Sequence, residues 1–113
     1  AYYKRGDIYY ALKKDQKLAF EDYNKTIELN PNIADAYLKR GNIYYANRED
    51  YDNAVADYGK AIELNPRDAS AYNNRGLAYN AKKDYEKALA DFNKTIELNP
   101  RFTDVFYNRG LIY

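Results

Sequence analysis

The chain has 113 residues, with 18 Lys plus Arg set against 17 Asp plus Glu, and neither His nor Cys. That length suits one domain, and so even a charge balance argues against a surface built to grip phosphates and against a polybasic membrane anchor. Without thiol or imidazole there is no disulfide, zinc finger or thiol nucleophile, and with Ser70 as the only serine no Ser-His-Asp triad can be assembled.

The first stretch, 1–33, opens without a secretory signal segment, and its start at Ala1 rather than Met reads as the cut end of a longer chain. Tyr2, Gly6 and Tyr9 fall at helical spacing. A second helical stripe carries Ala19 and Tyr23 and ends in Asn24-Lys25-Thr26-Ile27-Glu28-Leu29-Asn30-Pro31. The stretch 34–68 repeats this plan. Tyr37, Arg40, Gly41, Tyr44 and Tyr45 share one helix face. The polar segment Asn47-Arg48-Glu49-Asp50 predicts a turn, with Asp50 placed as an N-cap. The stripe Tyr51, Ala54, Val55, Tyr58, Ala61 and Ile62 then runs into Asn65-Pro66, where the residue before proline is driven out of the helical region.

The stretch 69–102 repeats it once more, with Asp84 as cap and Tyr85, Ala88, Phe92 and Ile96 as stripe, one residue being lost from the turn between the helices. Its closing phrase, residues 93–100, matches residues 24–31 letter for letter. A half-unit, 103–113, carries Phe106, Gly110 and Tyr113. Three kinds of marker keep the same period of 34 or 35 residues: the Arg-Gly pairs, the Leu-Asn-Pro stops, and Ala19, Ala54 and Ala88, each four residues before an aromatic. A fixed period in this range means stacked units, each too small to bury its own apolar face. With 15 Tyr, 4 Phe and no Trp, the core is expected to be built on tyrosine.

On these residues the chain resembles the tetratricopeptide repeat family, whose unit is a helix-turn-helix of 34 residues. Tyr37, Gly41, Tyr44, Ala54, Tyr58, Ala61 and Pro66 occupy its signature places, as do Tyr72, Gly76, Tyr79, Ala88, Phe92 and Pro100. The resemblance implies an all-α solenoid of helical hairpins, a right-handed superhelix of three units plus the first helix of a fourth. It departs from the family at Thr26 and Thr95, where Ala is usual, and in the Arg that replaces Leu before each Gly. Those arginines, Arg5, Arg40, Arg75 and Arg109, lie beside the core, where a lone charge is costly. Asp22, Asp57 and Asp91 recur just before the second-helix aromatics, and Arg–Asp pairing is expected.

The resemblance further implies that first helices line a concave face where ligands bind. The residues expected there are Tyr3, Asp7 and Tyr10, then Leu38, Asn42 and Tyr45, then Asn73, Leu77 and Asn80, and finally Tyr107 and Leu111. Aromatic and aliphatic anchors beside amides suit a peptide, although the tyrosines could equally pack between neighbouring first helices. Members that hold chaperone C-terminal tails clamp the carboxylate with Lys, Asn and Arg. Here Asn42 and Asn74 fill the amide places, but Leu38, Tyr107 and Leu111 occupy the cationic ones, and in the other register Tyr3 and Asp7 open the clamp, so chaperone tails are not expected to bind.

Two matches to the glycosylation acceptor pattern, at Asn24 and Asn93, read as echoes of the repeat. The acidic pairs Glu21-Asp22 and Glu49-Asp50 read as solvated faces or caps rather than as acid–base groups. The expectation is a non-catalytic scaffold for a peptide or protein partner, with no cofactor, nucleic acid or membrane. The alternative is self-association through the truncated ends.

Overall fold

Each apolar run at helical spacing forms a helix, and each Asn-Pro ends one. The computed structural model describes residues 16–47, 50–101 and Arg109. Among them lie five helices and no strand: α1 Gln16–Leu29, α2 Ala34–Ala46, α3 Tyr51–Leu64, α4 Ala69–Ala81 and α5 Tyr85–Leu98. Each helix packs on the next in the chain, so α2 and α3 form one hairpin and α4 and α5 another, with α1 laid on α2 and α3 on α4. This is an all-α solenoid of helical hairpins. None of the described helices is long and apolar enough to cross a membrane.

The stop signal works through its asparagine as much as its proline. After α1, α3 and α5 the backbone N–H of Asn30, Asn65 and Asn99 closes the last helical turn at 2.8 Å. Proline brings no donor of its own, and the asparagine side chains then accept the N–H two residues on, from Asn32, Arg67 and Arg101, at 3.1, 3.3 and 3.2 Å. This is an Asx turn written three times. It explains why the phrase keeps Asn as well as Pro.

The turns inside the hairpins differ from the expectation. Asp50 precedes α3 but makes no capping bond with its side chain. Its carboxylate instead accepts from Asn47 Nδ2 at 3.3 Å, which turns it away from the helix amides. Asp84 does cap α5, accepting from the Lys87 N–H at 3.4 Å, and Asp68 caps α4 in the same way through Ala71. The shorter α4–α5 turn is closed by two reversed bonds, Asp84 N–H to Tyr79 O and Lys83 N–H to Asn80 O, both 2.9 Å. That arrangement needs a left-handed residue, and Lys83 supplies it at φ 65°.

The core is a column of aromatic rings facing small residues. Tyr23, Tyr58 and Phe92 are sealed from solvent together with Ala19, Ala54 and Ala88. Gly41 lies against the Tyr58 ring and Gly76 against the Phe92 ring, closely enough that no Cβ would fit without movement. Thr26 and Thr95 are tolerated in this dry interior because each hydroxyl donates to the carbonyl four residues back, Asp22 O and Asp91 O, at 2.9 Å. One expected inward residue is not inward: Leu29 is 64 % exposed. It stands about 200° round the helix from Ile27, which does pack inside, so burying one side leaves it out.

Candidate functional site

The arginines before the glycines are paired. Arg40 donates from Nε and Nη2 to both carboxylate oxygens of Asp57 at 2.7 Å, and Arg75 does the same to Asp91 at 2.8 and 2.7 Å. Each pair joins the first helix of a hairpin to the second. Tyr37 and Tyr44 flank the Arg40 guanidinium, with their ring centres 5.7 and 5.9 Å away. Tyr72 and Tyr79 flank that of Arg75, both at 5.7 Å. The bond to aspartate raises each arginine above its ordinary pKa, while partial burial works in the opposite direction. Charge that is matched, stacked and fixed in this way is structural.

A different face of α2 and α4 carries the candidate site. Asn42, Tyr45 and Ala46 of α2, Tyr58 of α3, and Asn74 and Leu77 of α4 line a groove of about 440 Å³. One hydrogen-bond chain organises it: Asn42 Oδ1 accepts from the Tyr58 hydroxyl at 2.6 Å and from Asn74 Nδ2 at 3.1 Å. The first of these bonds lies within a hairpin and the second crosses to the next. Tyr45 packs against Tyr51, with ring centres 5.5 Å apart. Burial, and then the neighbouring Tyr51, push the Tyr45 phenol above its ordinary pKa, so it stays neutral. No lining residue is charged at neutral pH.

Of the residues expected on this face, the structure brings Asn42, Tyr45 and Leu77 together. Leu38 and Asn73 are corrections: they are 9 % and 5 % exposed, drawn into the packing between helices, and present almost no surface to a partner. Asn80 is partly exposed but lies outside the lining. Tyr3, Asp7, Tyr10, Tyr107 and Leu111 lie outside the described residues. Three lining residues were absent from the expected set. Asn74 was visible only as a clamp amide, Ala46 carried no signal, and Tyr58 was read as core although its hydroxyl reaches the groove.

The next hairpin handles the same two positions differently. The places of Asn42 and Tyr58 are taken by Leu77 and Phe92, which pack apolar on apolar. Asn42→Leu alone is therefore expected to cost about 1 kcal/mol, because it removes the acceptor of the Tyr58 hydroxyl. Adding Tyr58→Phe should recover most of that loss. Denaturant unfolding of both variants measures it, and a double variant no better than the single one would contradict the pairing.

A second hollow, of about 550 Å³, lies among Lys17, Phe20, Ile43, Tyr44, Ala46, Asn47 and Asp50. It gathers opposite charges at its rim and none of the expected partner-binding residues. Among the described residues no group of His, Cys, Asp and Glu could hold a metal ion.

The sequence profile of a family described as TPR repeat matches residues 6–48 and 45–82, and one described as tetratricopeptide repeat matches residues 69–102. None of the curated proteins matches the chain by sequence. Among solved structures it is similar to MamA, with a TM-score of 0.93 and 29 % identity over 99 % of this chain, which spans 64 % of MamA. It is similar to the TPR domain of Arabidopsis OM64, with a TM-score of 0.92 and 24 % identity over 98 % of this chain and 90 % of that one. It is also similar to the first TPR of Spaghetti (RPAP3) bound to an HSP90 peptide, with a TM-score of 0.91 and 24 % identity over 98 % and 86 % of the two chains. At 24 % identity these last two likenesses speak for the fold alone.

Proposed function

The chain belongs to the tetratricopeptide repeat family, a family of protein-interaction repeats, and from that premise we propose that it is a non-catalytic scaffold whose groove between α2, α3 and α4 takes an uncharged peptide segment. The observation that carries the reading is the lining: amides and phenols beside Leu77 and Ala46, with no charged group. Asn42 has committed its carbonyl to Tyr58 and Asn74, which leaves its amide nitrogen as a donor to a backbone carbonyl. Tyr45 and Leu77 flank room for an apolar side chain.

The same chemistry argues against acidic tails. The neighbour from Spaghetti is seen with the HSP90 peptide SRMEEVD. In this chain the clamp position at Leu38 carries no cation and is buried, and an acidic carboxylate entering the groove would lose its hydration with no positive partner to replace it.

Peptides selected by display on the intact chain test the reading. They are expected to be uncharged in the segment that binds, to bind with little dependence on salt, and to lose about tenfold in affinity to Ala46→Lys. Ala46 is exposed at the end of α2, so the variant should melt as the parent does. Selected peptides that bind parent and variant equally, or micromolar binding of an acidic chaperone tail by calorimetry, would contradict the proposal.

A further inference from the structure

Gly59 stands where the other two repeats carry Asn24 and Asn93, and those asparagines have a use that the acceptor-pattern reading missed. Asn24 Oδ1 accepts from Arg40 Nη1 at 2.9 Å, and Asn93 Oδ1 accepts from Arg109 Nη1 at 3.1 Å. In each case the second helix of one hairpin is tied to the first helix of the next. At the joint between α3 and α4 this tie is absent. The atom nearest the position of a Cβ on Gly59 is Arg75 Nη1, 3.8 Å away, so the arginine is in place but the amide is not.

Two other contacts cross this joint. On the groove side Asn74 Nδ2 donates to Asn42 Oδ1 at 3.1 Å. On the arginine side Lys82 pairs with Asp52, but their side chains are 37 % and 83 % exposed. An ion pair so solvated contributes little and is screened by salt. The joint is thus pinned along the groove and weakly held on its other side.

We propose that Gly59 makes the α3–α4 joint a hinge that sets the width of the groove. With the Asn42–Asn74 tie as pivot, α4 swings against α3 and carries Leu77 towards or away from Tyr45 and Tyr58, so the groove adapts to side chains of different size. The purpose rests on the peptide-groove reading. The motion does not, and it is measured on the protein without ligand.

The chain has no cysteine, so spin labels report on chosen pairs alone. Lys25→Cys with Asn53→Cys spans the joint tied by Asn24, and Asn53→Cys with Glu86→Cys spans the Gly59 joint; all three positions are exposed. The expected result is a broader distance distribution across the Gly59 joint, broader still in high salt. Gly59→Asn should narrow it to the width of the tied joint. Gly59→Ala, which gains the same backbone restriction without an acceptor, should leave it broad. Equal widths at the two joints in the parent chain, or narrowing by alanine as complete as by asparagine, would overturn the hinge. A groove that binds no peptide would leave these widths unaffected, so the two proposals fail separately.

Discussion

Gly76→Val is expected to destabilise the chain by about 3 kcal/mol. A Cβ at Gly76 would stand 2.6 Å from Cε1, 2.8 Å from Cδ1 and 3.1 Å from Cζ of Phe92. These are ring atoms of a fully buried side chain, with no flexible end to give way. Either the helices separate or the ring leaves its place, and both open the column of packing that holds α4 to α5. Intrinsic helix propensity works in the other direction, since any of these replacements restricts the unfolded chain relative to glycine by about 0.5–1 kcal/mol. Gly76→Ala should therefore lose less than valine, about 1–2 kcal/mol. Gly59→Ala is the control. Its Cβ would meet only Arg75 Nη1, at an ordinary 3.8 Å, so it should gain about 1 kcal/mol. Thermal and denaturant unfolding followed by helical circular dichroism separate the two, and a Gly76→Ala variant more stable than the parent would refute the close-approach account.

Arg40→Ala is expected to cost about 2–3 kcal/mol. It removes both hydrogen bonds from Asp57, whose residue is only 5 % exposed, and leaves that carboxylate to face the interior without its cation. The arginine side chain is itself 20 % exposed, and solvent reaching it places the loss below that of a fully dry pair. In a double-mutant cycle Arg40→Ala and Asp57→Ala should couple by about 2 kcal/mol, because removing both leaves no stranded charge. Arg40→Lys should recover little, since a single ammonium cannot meet both oxygens or stack between Tyr37 and Tyr44. The titration of Arg40 has a definite sign. Its folded pKa is raised, so its contribution is complete below the ordinary arginine value and fades only as pH climbs past that value. Across the neutral range the cost of Arg40→Ala should not change through this group. Zero coupling would reduce the ladder of arginines to surface decoration.

Much of this was legible in the chain because it is local and repeated. Helix positions follow from the spacing of Tyr37, Gly41 and Tyr44 and of Ala54, Tyr58 and Ala61, and the stops follow from Asn65-Pro66 and its copies. The arginine–aspartate pairs could be anticipated because a charge beside a core needs a partner and one recurs at a constant distance along the chain. What escaped depends on how one hairpin leans on the next. Whether Leu38 and Asn73 face solvent is decided by the angle between neighbouring units, which no single-helix pattern encodes, and both are buried. The tie from Asn24 to Arg40 also crosses that boundary, so its asparagine looked like a chance acceptor motif. Asn42 was read as a group offered to a ligand. Half of it is already spent on Tyr58 and Asn74, a fact visible only once α2, α3 and α4 are brought together.

The account stands on the uncharged groove as the place where a partner docks. Amide and methyl chemical shifts, recorded by NMR while a display-selected peptide is titrated into the intact chain, test this directly. The perturbations should centre on Asn42, Tyr45, Asn74 and Leu77 and fade towards the exposed ends of α1 and α5. Shifts that leave those four residues unmoved and gather instead around Lys17 and Phe20, or around Tyr85, would contradict it.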